Sequence, residues 1–158
     1  MRMITAEENP SRGNIKIGKH DIESNSSEGF QYLGYCPQFD AVWRKITVRE
    51  HLETYAVIRG VAAKDIKRFL FCCFSSFSRC SQLLYFSRLT QNIMEGLRIA
   101  EHADKRAEKC SGGTKRKLSY GMAMLGDPKI VLMDEPSTGM DPQSKRFVWD
   151  TILASFKV

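Results

Sequence analysis

The chain has 158 residues, 42% of them hydrophobic, with 24 lysines and arginines against 18 aspartates and glutamates. That length allows one domain with a real core, and a net charge of +6 suits a nucleic-acid or membrane-surface protein as well as one part of a larger assembly. No aromatic residues interleave with the basic cluster Lys105, Arg106, Lys109, Lys115, Arg116 and Lys117, which argues against nucleic acid as a partner and for a solvated face beside an anion site.

The N-terminus, MRMITAEENPSRG, lacks the apolar core of a signal peptide and reads as a helix end breaking at Asn9-Pro10. Residues 13–22 alternate apolar Ile15 and Ile17 with polar neighbours, the period of a half-buried strand. A polar loop over 21–28 leads to a short apolar strand, Tyr32 to Cys36, halted by Pro37. Thr47-Val-Arg-Glu50 is a capping box. It opens a helix with Val48, Leu52, Tyr55 and Ile58 at helical spacing and Gly60 as its stop.

Residues 61–109 carry mixed helical signal around the block FLFCCFSSFSRCSQLLYFSRLTQ at 69–91. The most apolar run within it, Phe69 to Phe86, contains Ser75, Ser76, Ser78, Arg79, Ser81 and Gln82 and so is a poor membrane span. Beyond it, Ser111 caps a helix with Leu118, Met122 and Leu125 on one face, and Ile130 to Met133 reads as a buried strand. Asp141-Pro142, an N-cap followed by proline at the first helical position, opens a last helix through Phe147, Trp149 and Ile152. His51 and His102 are read as surface residues of helical segments. Helices alternating with apolar strands point to an α/β fold with a mainly parallel sheet. The cysteines, Cys36, Cys72, Cys73, Cys80 and Cys110, show neither zinc spacing nor a secreted framework, so reduced thiols in a cytosolic compartment are expected.

The chemistry concentrates between Cys110 and Pro142, CSGGTKRKLSYGMAMLGDPKIVLMDEPSTGMDP. In IVLMDEP an apolar strand ends in two carboxylates at the sheet edge where ligands bind. Asp134 there can hold Mg²⁺ and Glu135 can orient or deprotonate a water, although adjacent carboxylates equally suit a turn with a helix cap. Ser111, Gly112 and Gly113 stand at a helix N-terminus, whose free N–H groups and dipole favour an anion. A plain glycine-rich N-cap is the alternative for SGG alone; its spacing to DEP and STGMDP favours the nucleotide reading.

The constellation resembles the nucleotide-binding domain of an ABC transporter. CSGGTKRK is similar to the signature loop, IVLMDEP to the Walker B strand, STGMDP to the D-loop and GYCPQFD to the Q-loop. Together with TVREHLETYAVIRG these segments look like subfamily A, the large eukaryotic lipid exporters. The resemblance covers residues 1–68 and 93–158. It implies a partial P-loop NTPase (RecA-like) core with an inserted helical subdomain: core strands and Q-loop in 1–40, helical subdomain and signature in 41–125, Walker B, D-loop and a following helix in 126–158.

The resemblance also implies a mechanism. Two such domains close head to tail on two ATP molecules with Mg²⁺. Ser111, Gly112 and Gly113 would reach, in trans, the γ-phosphate held by the partner domain. Glu135 and Gln38 would be catalytic, Asp134 and Gln38 would serve the metal, and Asp141 would bridge the dimer. Thr114 stands where the signature usually has glutamine. The domain would sit on the cytoplasmic side of a membrane, joined to transmembrane domains that move a lipid.

Other parts of the pattern are expected to be missing. A phosphate cradle needs GxxxxGK[ST], and Gly13-Asn-Ile-Lys-Ile-Gly18-Lys19-His20 has histidine in place of the hydroxyl and a strand-like interior. In the family a segment similar to 1–18 directly follows the true cradle. Its switch histidine lies beyond the D-loop helix, and its adenine-stacking aromatic lies upstream of the cradle. Residues 69–91 read as a gene-model or splicing artefact rather than a packed helix, with a lineage-specific loop as the alternative. The isolated chain is therefore expected neither to hold ATP tightly nor to turn it over, and to expose unpaired sheet edges. A soluble ABC ATPase of translation or DNA repair and a non-catalytic truncated isoform are the other readings.

Overall fold

The computed structural model describes residues 2–39, 41–60 and 88–155. In chain order these form β1 (Lys16–Ile17), β2 (His20–Asp21), α1 (Ser26–Phe30), β3 (Leu33–Cys36) and α2 (Val48–Ile58). Helical residues 88–96 (α3) and two single 3₁₀ turns follow, then α4 (Gly112–Met124), β4 (Ile130–Met133) and α5 (Pro142–Ser155). Of the block at 69–91, residues 69–87 lie outside the described residues, while 88–91 belong to α3, where Thr90 is fully buried, so that end is packed helix after all.

β3 and β4 are parallel, in register from Leu33 opposite Ile130 to Cys36 opposite Met133. A parallel pair needs a crossover, and the chain between these strands includes α2, α3 and α4. α4 presses onto β3 at Gly34, where an added Cβ would stand 2.3 Å from the Ala123 carbonyl oxygen. The main core gathers Val48 and Leu52 of α2, Met94 of α3, Leu97, Ile99, Leu118, Leu125, and Val148 and Ile152 of α5. Each such side chain contributes about 1.5–3 kcal/mol on leaving water. A second, smaller cluster of Ile17, Ile22 and Leu33 sits under the hairpin.

The local sequence rules act where they were expected. Thr47 Oγ1 accepts from the Glu50 amide at 3.2 Å, and the Thr47 amide donates to Glu50 Oε2 at 2.7 Å, completing the capping box. Arg59, the C-cap residue, fastens that helix's far end. Its guanidinium donates to the carbonyls of Leu125 (3.1 Å), Phe30 (3.1 Å) and Leu33 (2.7 Å).

Several expectations need correction. Residues 2–13 are turns and bends rather than a helix end, because the Arg2 carbonyl takes the amides of Glu7 and Glu8 and Ala6 has φ +55°. Residues 13–22 make a hairpin rather than one strand, with Gly18 at φ +63° supplying the turn. The loop expected at 21–28 forms over 22–25 only, since Asp21 closes β2 and α1 starts at Ser26. On α2 the buried face is Val48, His51, Leu52 and Ala56, while Ile58 is 64% exposed. β4 is only partly buried and Ile130 is exposed, since its one strand partner among the described residues is β3.

His51 is no surface residue: it is fully buried. Its Nε2 accepts the Trp43 amide at 2.8 Å. The proton must then sit on Nδ1, which donates to the Thr47 carbonyl at 2.7 Å. His102 is half-buried, 3.6 Å from Glu101.

Candidate functional site

Register brings the first two site residues together. The Asp134 amide donates to the Cys36 carbonyl at 3.0 Å, one step past the last paired residues. Pro37-Gln38 and Asp134-Glu135 therefore leave the sheet side by side, at the C-terminal edge of a parallel pair. Gln38 Nε2 donates to Glu135 Oε2 at 3.1 Å. Thr138 Oγ1 donates to the same oxygen at 2.8 Å, and the Thr138 amide to the Glu135 carbonyl at 3.1 Å.

Glu135 itself has φ +45°. A left-handed conformation without glycine costs about 1–3 kcal/mol and persists where surrounding contacts over-determine it. Here those contacts include a buried guanidinium. Arg116 of α4, 3% exposed, directs Nε to the Pro136 carbonyl (3.0 Å) and Nη2 to the carbonyls of Asp134 (2.6 Å) and Glu135 (2.8 Å). Its Nη1 donates to the Gln38 carbonyl at 3.2 Å and also meets that of Pro37.

The same helix begins at the SGG turn. Ser111 is its N-cap, its Oγ accepting from the Thr114 amide at 3.2 Å and lying 2.9 Å from Thr114 Oγ1. Ser111 and Gly112 are exposed and Gly113 half-buried, and no acidic residue lies in the first turn. This end of α4 faces the start of α5. A Cβ on Gly112 would stand 3.9 Å from the Gly139 oxygen, and one on Gly113 would stand 3.9 Å from Ser144 Oγ.

Asp141 caps α5: its Oδ2 accepts from the Ser144 amide at 2.9 Å, and that bond holds its carboxyl below the usual carboxylate range. The ring of Phe147 of α5 has two cations against it, the Lys117 ammonium 4.7 Å and the Arg98 guanidinium 4.8 Å from its centre. Burial pushes the Lys117 ammonium down, partly offset by Asp141. It also pushes the Cys110 thiol up against the pull of Lys105 and Lys115.

Gln38 and Glu135 thus meet directly, with Asp134 next in chain, while Gly112 and Gly113 stand beside Gly139 and Ser144, which flank the Asp141 cap at the start of α5. Arg116, more than a turn along α4 from Ser111, connects the two groups. In the sequence Arg116 belongs to a basic cluster that suits a solvated face, and Thr138 carries no mark of its own. A second packed face of α4 was the available signal: Ser119 and Ala123, small and buried, follow Arg116 at i+3 and i+7, a spacing that lets a helix lie close on a sheet.

The family model described as ABC transporter matches residues 1–138. The chain is 39% identical over 151 residues to the Homo sapiens phospholipid-transporting ATPase ABCA3, covering 96% of this chain and 8% of that protein. It is 39% identical over 152 residues to the Bos taurus retinal-specific phospholipid-transporting ATPase ABCA4, covering 96% and 6%. With the Rattus norvegicus cholesterol transporter ABCA5 the identity is 34% over 158 residues, covering 99% and 8%. The chain therefore spans less than a tenth of the length of these relatives.

Among solved structures, an ATP-binding subunit of an ABC transporter superposes with TM-score 0.73 at 19% identity, over 98% of this chain and 56% of that one. The ATP-binding cassette MJ0796, in a dimeric post-hydrolysis state bound to ADP and Pi, gives TM-score 0.72 at 14% identity, over 96% and 60%. At these identities the structures establish the fold, a P-loop NTPase α/β architecture. The sequence matches establish the rest: the chain belongs to the ABC transporter family, as a nucleotide-binding domain of the subfamily-A kind.

Proposed function

We propose that this chain forms part of the ATP-hydrolysing domain of a membrane transporter that moves a lipid. The hydrogen bond between Gln38 and Glu135 at the end of a parallel strand pair carries the reading. It sets a carboxylate and an amide side by side where an attacking water would need both.

Glu135 acts as the base or orienting group for that water, and Gln38 fixes its position. The Asp134 carboxylate and the Gln38 amide oxygen are hard oxygen donors of the kind Mg²⁺ takes beside substrate phosphates, and they would hold it. Bound there, the ion would neutralise charge on the phosphate oxygens. Thr138 and the backbone around Glu135 keep the carboxylate aimed. Ser111, Gly112 and Gly113 offer backbone N–H groups and the positive end of α4 to a γ-phosphate held by a second nucleotide-binding domain. The exposed Asp141 cap stands at the same face, suited to bridging the two domains head to tail.

Residues 1–40 and 126–158 serve as core and 41–125 as the helical subdomain. A lipid cargo is supported by relatives named as phospholipid-transporting and cholesterol transporters. The domain would lie on the cytoplasmic side; among the described residues no helix is long and apolar enough to cross a membrane.

The Gly13–Lys19 stretch is a hairpin, not a loop opening a helix, so it does not cradle phosphate. One helix N-terminus contributes at most about 2 kcal/mol toward an anion, against about 8 kcal/mol for a micromolar site. This chain alone therefore holds ATP weakly and does not turn it over. Calorimetry of the isolated chain tests this: millimolar or weaker ATP binding is expected. Micromolar binding with hydrolysis abolished by Glu135→Gln would overturn it.

A further inference from the structure

We infer that Arg116 is a positioning residue for the Gln38–Glu135 pair and ties its geometry to the signature helix; the inference rests on the role proposed for that pair. Five residues along α4 from Ser111, the guanidinium is buried and directs its donors at backbone on both sides of the pair. On one side it holds the carbonyl of Gln38, on the other those of Asp134, Glu135 and Pro136. The two segments belong to different strands, and beyond the Asp134–Cys36 ladder bond the guanidinium bridges their ends.

The bridge falls at the strained residue. Glu135 sits at φ +45°, and Arg116 Nη2 holds both its carbonyl and the one before it. Rotating either peptide would swing the Glu135 carboxylate away from Gln38 Nε2. A planar guanidinium presents donors along several fixed directions in one plane, whereas an ammonium is a single point. Lysine at 116 keeps the charge but cannot span both segments. Because Arg116 is rooted in the helix that starts at Ser111–Gly113, a shift of α4 on engaging a phosphate moves the guanidinium and with it the pair. Each site's water-positioning group thereby senses occupancy of the partner's site.

The first test uses the whole 158-residue chain and the side-chain amide NMR signal of Gln38. Arg116→Lys is expected to move that signal to the position it takes in Glu135→Gln, while the Leu52 and Met94 signals stay in place. An unmoved Gln38 signal in folded Arg116→Lys overturns the inference. Should that variant not fold, the wild-type guanidinium decides: separate, slowly exchanging Arg116 Nη signals are expected, and one averaged signal overturns the clamp.

The second test uses the intact transporter carrying this domain. Arg116→Lys is expected to lower kcat at least tenfold with KM within twofold, and to cause no further loss on a Glu135→Gln background. A loss confined to KM, or one that adds in full to that of Glu135→Gln, contradicts the positioning role. If Glu135→Gln leaves hydrolysis intact while the Gln38 signal still responds to Arg116, the catalytic reading fails and the coupling stands.

Discussion

Gly34 of β3 lies directly beneath the Ala123 carbonyl of α4, and a Cβ at position 34 would fall 2.3 Å from that oxygen. The obstacle is backbone, so no side chain can turn aside; strand or helix must move. Gly34→Ala is expected to destabilise the fold by about 3 kcal/mol or more. Urea denaturation of dilute protein would show it as a lower midpoint at unchanged slope. Gly96, in the last helical turn of α3 with nothing near its Cβ position, is the contrasting case. Gly96→Ala should raise stability by roughly 0.5–1 kcal/mol.

Gly121 marks where α4 crosses α2 and α3. An added Cβ would meet Leu97 Cδ1 at 2.9 Å, Ile93 Cγ2 at 3.1 Å and Leu52 Cδ2 at 3.4 Å. These are side-chain ends that can give, so Gly121→Ala is expected to cost less than Gly34→Ala, about 1–2 kcal/mol. Equal losses at the two positions would contradict this ordering.

The capping box at Thr47 is a local device with a local cost. Thr47→Ala removes the acceptor for the Glu50 amide and should lower stability by about 1 kcal/mol. Amide exchange should speed up first at residues 48–51, with α5 unaffected.

His51 gives the chain a dependence on pH. Burial holds its imidazole below the ordinary value near 6.5, opposed more weakly by the Thr47 hydrogen bond and the Glu50 charge. A group depressed on folding leaves more protons on the unfolded chain as pH falls. Stability should be level above about pH 6.5 and decline below it. Protonating Nε2 would also strip the Trp43 amide of its acceptor. His51→Leu should be less stable at pH 7.5 and lose the decline between pH 6.5 and 5; an unchanged decline would assign it to other groups.

Much of this was legible from local rules. The capping box, the SGG cap, the strand at 130–133 and the Asp141-Pro142 start are each fixed within a few residues, and each forms. Glu135 stands out as a carboxylate at the end of an apolar strand, whereas Gln38 stands out only through the resemblance of GYCPQFD to a Q-loop. What escaped depends on contacts distant in sequence. Arg116 reads as one more surface cation until α4 lies on β3, when its partners prove to be carbonyls 18 to 79 residues away. His51 looks like a polar position on a helix until Trp43 folds back over it at 5.7 Å. Residues 2–13 follow a turn set by one carbonyl, which helical periodicity does not report.

Hydrolysis by the intact transporter is the decisive measurement, compared between wild type and Glu135→Gln at saturating ATP. A base or water-orienting carboxylate contributes on the order of 10²–10⁴-fold. The variant should lose at least about a hundredfold in kcat while still binding ATP and still pairing with its partner domain. Hydrolysis within a few-fold of wild type would show that Glu135, and the Gln38 contact that aims it, do not perform the chemistry.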